Sequence, residues 1–433
     1  MAGIRRLSQL LSVRRSSERR RSMGRLLLRS PKGLSSTLAV NVTNMLLGVV
    51  TGVATARGLQ PDERGVLLAL ILWSSTASTF SLLGLDESVV YHSAGSRTQA
   101  LALRRQLTRY IWPQVAVGLA LLITINVVIV RDGSDSLLLT ALGISLIVPL
   151  NAYTQMCMAP LRVAEEFGVW NALRLVPASI YASSVLCLAA LDKLSIPNGV
   201  GGLLIGSIIT ALASWLVTRK RSAFVAVSPS AATTSQVRRY GRRVFVASVP
   251  YVANQRLDQL LLGVLVAPRN LGIYAVAVSI TAVVQMIGTT LEQVIFPRMM
   301  AGTLNSKKIP RILVASCGGT ALLGFGLSIM AESLIRFVYG SSYVEAALPL
   351  QILAVGVLFV VASAILTAEA KAQNRLHDLI FGQVIGTVIT VLLLPLLVIR
   401  YDLIGAASTS TVAYAVTFFI LIFRRNRHKR GHL

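Results

Sequence analysis

Apolar residues run along this chain in long unbroken stretches, unlike the alternation of half-buried strands or the one-sided stripe of a soluble helix. A helix needs about 20 mostly apolar residues to cross roughly 30 Å of hydrocarbon. Measured against that length, twelve stretches stand out, at 34–56, 65–88, 111–130, 137–159, 173–191, 199–218, 244–267, 271–296, 312–330, 346–369, 377–399 and 403–423. Lipid offers no partner for a free backbone N–H or C=O, so each stretch is expected to be a helix. The pattern predicts an all-α polytopic membrane protein of about twelve spanning helices. One long polar interruption, RKRSAFVAVSPSAATTSQVRRYGRR at 219–243, separates a six-helix lobe at 34–218 from a second at 244–423 and reads as a linker between them.

The composition fits this picture. Hydrophobic residues make up 54% of the 433 and charged residues only 14%, against about 25% charged in soluble domains; the mean hydropathy is +0.68. A net charge of +25 suits either a nucleic-acid binder or a membrane protein, and the placement of the cations decides between them. On the twelve-span reading, 34 of the 42 Lys and Arg lie on one face: in the tail at 1–33, the alternate turns, the 219–243 linker and the tail at 424–433. The opposite face holds Arg57, Arg64, Arg131, Lys193, Arg269, Arg336 and Arg400, and Arg256 lies inside a span. This is the positive-inside asymmetry, which predicts a multi-pass protein of the cytoplasmic (inner) membrane with both termini in the cytoplasm. The cations line up by membrane side, so nucleic-acid binding is not expected. The Arg- and Ser-rich first 33 residues have the composition of an organellar transit peptide, but are read here as a tail resting on anionic lipid headgroups. No cleavable secretory signal is expected, because the first apolar stretch is long enough to span. Cys157, Cys187 and Cys317 fall within spans without metal-ligand spacing and read as apolar filling; no metal or cofactor is expected.

The two halves resemble each other at an offset of about 207 residues. Pro61 and Gly65 fall on Pro268 and Gly272, Leu85-Asp86-Glu87 on Leu291-Glu292-Gln293 with a one-residue slip, and FGVWN at 167–171 on NRLHD at 374–378. Both halves start on the same side, so the repeat is parallel, about an axis along the membrane normal, and a binding site is expected in a central cavity between the lobes.

Three segments resemble the polysaccharide or oligosaccharide flippase branch of the multidrug/oligosaccharidyl-lipid/polysaccharide exporter superfamily: RLDQLLLGVLVAPRNLGIYAVAVSI at 256–280, LEQVIFPRM at 291–299 and FVYGSSYVEAALPLQILAVGVLF at 337–359. The likeness extends over 245–400 and is one of general layout over 34–218. It implies a MATE-like arrangement of two lobes and a flippase that moves a lipid-linked oligosaccharide, anchored on polyprenyl pyrophosphate, across the membrane by alternating access, with glycan-polymerising machinery as a further partner. Many flippases of this branch have fourteen helices, whereas this chain accommodates twelve.

Ionisable groups inside a span cost about 2.5–3.5 kcal/mol at mid-helix, so each calls for a partner or a wet cavity. The seventh span concentrates them, with Tyr251, Asn254, Gln255, Arg256, Asp258 and Gln259. At 100° per residue Arg256 and Asp258 stand about 200° apart, which argues for different partners. Arg256 either faces the cavity and binds pyrophosphate through its guanidinium fork, or pairs with a carboxylate such as Glu292. Asp258 either packs against the other lobe or takes part in ion coupling. Glu292 and Gln293, with Asp86 and Glu87, lie near the cytoplasmic ends, as gating contacts or as interfacial salt bridges. Asn41 and Asn44 share a face of the first span and either bind sugar hydroxyls or bond a neighbouring helix. Glu369, Lys371 and Arg375 read as interfacial.

The rival classes are a drug/cation antiporter of the same superfamily, which would favour acids in the cavity, and a membrane polymerase or ligase of lipid-linked sugars. The latter needs acids and bases poised over the bilayer, and the longest outer segment, about 331–345, is short.

Overall fold

The computed structural model describes residues 31–93, 96–131, 133–222, 234–300 and 302–430. Most of the basic tail expected on lipid lies outside these residues, as do 223–233 of the linker. The described residues are helical, in the order α1 (Pro31–Gly58), α2 (Pro61–Ser81), α3 (Leu85–His92), α4 (Arg97–Ile129), α5 (Asp135–Ser145), α6 (Ile147–Val163), α7 (Phe167–Ala190), α8 (Ile196–Ser222), α9 (Thr234–Leu265), α10 (Pro268–Met300), α11 (Ile309–Val338), α12 (Ala347–Ala372) and α13 (Leu376–Arg430). Ten stretches are long and apolar enough to cross a membrane. One of them, α13, holds two crossings around Asp402, whose backbone leaves the helix at φ 49° and ψ −126°. The helix α9 falls short in apolarity because Asn254, Gln255, Arg256, Asp258 and Gln259 sit in its middle. Together these make the twelve crossings.

Three boundaries differ from the hydropathy reading, each for a local reason. The second crossing is broken at Leu83 and Gly84, both at positive φ (46° and 70°). A Cβ on Gly84 would lie 2.5 Å from the Gly241 carbonyl oxygen, so the break brings the end of α2 onto α9. The fourth crossing is divided between α5 and α6 at Leu146; Pro149 has no N–H to give the Ser145 carbonyl. The linker is shorter than its polar composition suggests, because α8 runs to Ser222 and α9 begins at Thr234.

The repeat is visible in hydrogen bonds as well as in letters. After α6, Ala164 N donates to Pro160 O, Glu165 N to Arg162 O and Glu166 N to Leu161 O; after α12, Gln373 N donates to Glu369 O, Asn374 N to Lys371 O and Arg375 N to Ala370 O. The central residues Glu165 and Asn374 both take positive φ, 55° and 60°, as do Asp192 and Asp402 in the next pair of turns. Here the register is 209 or 210 residues, a slip of two or three from the offset at the start of each half.

At that start the offset of 207 holds, and the equivalent residues meet each other. A Cβ on Gly65 would lie 1.7 Å from the Pro268 carbonyl oxygen, and one on Gly272 would lie 2.3 Å from that of Pro61. The backbones of α2 and α10 therefore touch reciprocally across the axis relating the halves, at the cation-poor end. Arg64, almost fully buried, donates from Nη1 to Gly272 O at 2.8 Å, with its guanidinium carbon 5.2 Å from the Tyr343 ring centre. Tyr343 Oη donates to Leu59 O at 3.2 Å. Arg57 donates from Nε to Val338 O at 2.9 Å and from Nη2 to Phe337 O at 2.5 Å, covering last-turn carbonyls of α11 that have no helical donor. The largest core cluster, including Leu271, Tyr274, Tyr339, Tyr343 and Leu350, lies here, and this end is closed.

At the cation-rich end the halves meet, among the described residues, on one side. There Tyr91 stacks on Tyr240 at 4.2 Å, Phe80 meets Phe245 edge-on at 5.4 Å, and Gln106 Nε2 donates to Thr234 Oγ1 at 2.6 Å. On the other side α1 is tied to α7 of its own half, through Asn171 Nδ2 to Ser36 and Thr37.

Replacing Gly272 with Val should destabilise the protein by about 1–3 kcal/mol through overpacking against Pro61, read as a lowered thermal midpoint in detergent. Gly318→Ala, where nothing lies within 4 Å, should leave the midpoint unchanged or slightly raised.

Candidate functional site

A cavity of about 1020 Å³ opens where α1 stands away from the second half. Its wall is periodic in helix spacing: Leu38, Asn41, Val42 and Met45 from α1; Ala282, Gln285, Met286, Thr289 and Gln293 from α10; Val360, Ser363, Ala364, Thr367 and Lys371 from α12. The helix α9 adds Val244, Ser248, Asn254 and Gln255, and α13 adds Leu376, Leu379, Ile380, Gln383, Tyr414 and Thr417. Almost every one lies in the half of its helix nearer the cation-rich end, so the cavity faces that end while the other is shut.

The wall is mostly apolar, set with amides and hydroxyls, and nearly uncharged. Among the described lining residues the only charged side chains are Glu292 and Lys371, and they neutralise each other, with Nζ 2.6 Å from Oε1. Amides and hydroxyls on an apolar ground make up the rest. Asn254 Nδ2 donates to Gln383 Oε1 at 2.7 Å, while Asn254 Oδ1 and Ser363 Oγ are buried without a partner. Asn41 Oδ1 accepts from Arg174 Nη2 at 2.8 Å, and Arg174 also lies 4.5 Å from the Trp170 ring centre.

Of the residues singled out in the sequence, Asn41, Asn254, Glu292 and Gln293 share this cavity, and Arg256, Asp258, Asn44 and Asp86 are not in its wall. Arg256 is solvent-accessible on the flank of α9 next to Gln255, and its Nη1 donates to Ser75 Oγ of α2 at 3.0 Å, bridging the halves. It has no carboxylate partner among the described residues; the alternative pairing with Glu292 is not formed, because Lys371 takes that carboxylate. Asp258 is buried in its own half rather than against the other lobe, since it stands one turn beyond Asn254 on the α9 face that meets α10 and α13. It accepts from Tyr274 Oη at 2.8 Å, Ser410 Oγ at 2.9 Å and Gln259 N at 2.8 Å. Asp86 and Glu87 flank Arg162, at 3.7 and 2.7 Å.

The mouth of the cavity carries an ion-pair network that the sequence resolved only as interfacial charge. Asp378 accepts from Arg375 at 3.1 Å and from Arg424 at 2.9 Å. Glu369 is not interfacial but fully buried, because Arg425, one turn from the end of the last crossing, folds back onto it at 2.5 Å and Ser306 Oγ donates to its other oxygen. Arg174, counted by sequence among the turn cations, sits within α7 beside Asn41. No cluster of three His, Cys, Asp or Glu able to hold a metal occurs among the described residues.

Residues 54–348 match the family model described as polysaccharide biosynthesis protein. The chain belongs to that family. A relative of this polysaccharide biosynthesis protein in Haloferax volcanii, the probable low-salt glycan biosynthesis flippase Agl15, is 22% identical over 194 residues, 43% of this chain and 41% of the relative. The chain thus spans about two fifths of that relative's length. The fold is similar to that of the lipid II flippase MurJ in its inward closed conformation, with a TM-score of 0.72 and 14% identity over 90% of this chain and 87% of that one. It is also similar to a multidrug resistance MATE family transporter of the MOP superfamily in its inward-facing conformation, at TM-score 0.67 and 12% identity over 89% and 96%. The resemblance read from the sequence and the MATE-like fold are therefore both met.

Two measurements probe this geometry. In a variant with the three native cysteines replaced, Thr289→Cys should react with a water-soluble thiol reagent, and Thr281→Cys, buried two turns back on the same helix, should not. Glu369→Gln leaves Arg425 buried and unpaired and should cost about 3–5 kcal/mol in unfolding experiments. The same change at Glu332, in an exposed pair with Arg336, should stay within about 1 kcal/mol.

Proposed function

We propose that the chain is a flippase for a lipid-linked glycan, working by alternating access and seen here in its inward-facing state. The observation that carries this reading is a large, nearly uncharged cavity with amides and hydroxyls set in an apolar wall, open at the cation-rich end and shut by α2 and α10 at the other, in a member of the polysaccharide biosynthesis family. By the positive-inside rule the cation-rich end is cytoplasmic, with both termini there. Neutral amides and hydroxyls suit sugar hydroxyls, which need donors and acceptors but no charge. The gap between α1 and α10 lets the head group enter the cavity while its polyprenyl tail stays in lipid. Arg256, at mid-helix and without a carboxylate, is the group we assign to the pyrophosphate, reached when the head group moves from the amide wall toward Ser75.

A cation antiporter is favoured less. The single acid in the cavity wall, Glu292, is already neutralised by Lys371, and Asp258 is saturated with three donors outside the wall.

The test is Arg256→Ala and Arg256→Lys in cells, following lipid-linked sugar retained in the inner leaflet. Removing a charge-assisted bond of about 1.5–3 kcal/mol should weaken export ten- to a hundredfold. Lysine, which cannot engage two oxygens side by side, should restore only part of it. Export at the parental rate in both variants overturns the assignment of Arg256, and the absence of any lipid-linked sugar phenotype on deleting the gene overturns the flippase.

A further inference from the structure

A second cavity, also about 1020 Å³, lies between the first turns of α13 and its last turns, on the opposite side of this hairpin from the glycan cavity. Its lower wall is aromatic: Phe381, Phe419 and Phe423 are 44%, 58% and 67% exposed, on the surface that faces lipid. Its rim is basic. The sequence spacing Phe419, Phe423, Arg427 places two rings and a guanidinium on one helical stripe, the cation uppermost.

A cluster of arginines at a helix end is commonly no more than a solvated cap. Three observations set this one apart. The Arg424 guanidinium carbon lies over the Phe381 ring, 3.9 Å from its centre. The carboxylate lining the groove, Asp378, is already shared between Arg375 and Arg424. Arg427 is exposed beside them with no hydrogen bond or ion pair among the described residues. The groove therefore combines a positive excess at the level of the headgroups with an aromatic trough below it, at acyl-chain depth.

We propose that this groove seats one anionic glycerophospholipid of the cation-rich leaflet, with its phosphodiester on Arg427 and the outer edge of Arg424 and an acyl chain along Phe419 and Phe423. A soluble phosphate would use the rim alone and leave the exposed rings unexplained. The site has a mechanical link to the glycan cavity. Asp378 and Phe381 face the groove, while Leu376, Leu379, Ile380 and Gln383, in the same two turns of α13, face the glycan cavity. A lipid in the groove thus braces the wall that the glycan meets from the other side.

The test uses the full chain purified in detergent, titrated with phosphatidylglycerol or phosphatidylcholine and read by native mass spectrometry as the number of lipids retained. One phosphatidylglycerol should be retained in preference to phosphatidylcholine. Arg427→Gln should weaken that binding about fivefold, and Lys308→Gln, at an exposed cation in the turn before α11, should not change it. Equal weakening by both variants would show diffuse adsorption to a basic face and overturn the site, as would equal retention of the two lipids. Displacement of phosphatidylglycerol by an equimolar polyprenyl monophosphate would overturn the choice of ligand and give the groove to the carrier's tail. None of these outcomes depends on glycan transport.

Discussion

The closed end of this protein rests on two glycines. In lipid, helices gain little from hiding apolar side chains, so association depends on close van der Waals approach and on polar contacts between backbones. Gly65 and Gly272 permit that approach where each faces the carbonyl of its counterpart's proline, Pro268 and Pro61. Once α2 and α10 touch, the Gly272 carbonyl is within reach of Arg64, the end of α11 is within reach of Arg57, and Tyr343 can close over Leu59. Any side chain at either glycine would separate the helices by more than these hydrogen bonds can span. The direction in which the cavity opens follows from the same contact, since six helices held together at one end of each half have room to part only at the other.

The seal is asymmetric in charge as well as in packing. Burying Arg64 is costly, and its partners are a carbonyl oxygen and two tyrosine rings rather than a carboxylate. A guanidinium held by carbonyl and ring can be released without leaving an orphaned acid behind. The cation-rich mouth is built the other way, from carboxylate–arginine pairs such as Glu369 with Arg425 and Asp378 with Arg375 and Arg424. These pairs lie within the second half, joining α12 to the last turns of α13 and those turns to its first, so they stiffen one half rather than latch the two together.

How much of this the sequence disclosed follows from which forces leave a local pattern. Twelve crossings were legible because each must satisfy its backbone alone, and the side of each turn because cations partition across a bilayer. The Pro61/Gly65 and Pro268/Gly272 match was legible as letters, but not the fact that the two pairs touch; periodicity describes the face of one helix and is silent on which other helix meets it. The break at Leu83 and Gly84 was hidden for the same reason, since its cause, Gly241, lies far along the chain in α9. The seventh span was picked out correctly as the polar one, yet its strongest charge proved to be beside the cavity wall. A one-residue step around a helix moves a side chain by 100°, so Gln255 and Arg256 look on different spaces, and nothing short of the packed neighbours decides which.

The same angular argument explains how α9 divides its contacts between the two halves. One face, Asn254 and Asp258, is bonded to Gln383, Tyr274 and Ser410 and belongs to the second half. Another, Arg256, is bonded to Ser75 of the first. The face between them, Ser248 and Gln255, looks into the cavity. The bonds into its own half are several and mostly buried, with the Asp258 carboxylate at their centre; at mid-helix the bond to the other half is an exposed guanidinium–hydroxyl contact, and the further contacts with that half, from Thr234, Tyr240 and Phe245, lie toward the cation-rich end of α9. The two charges at the middle of α9 are thus divided between the halves, the carboxylate held within the second and the guanidinium reaching the first.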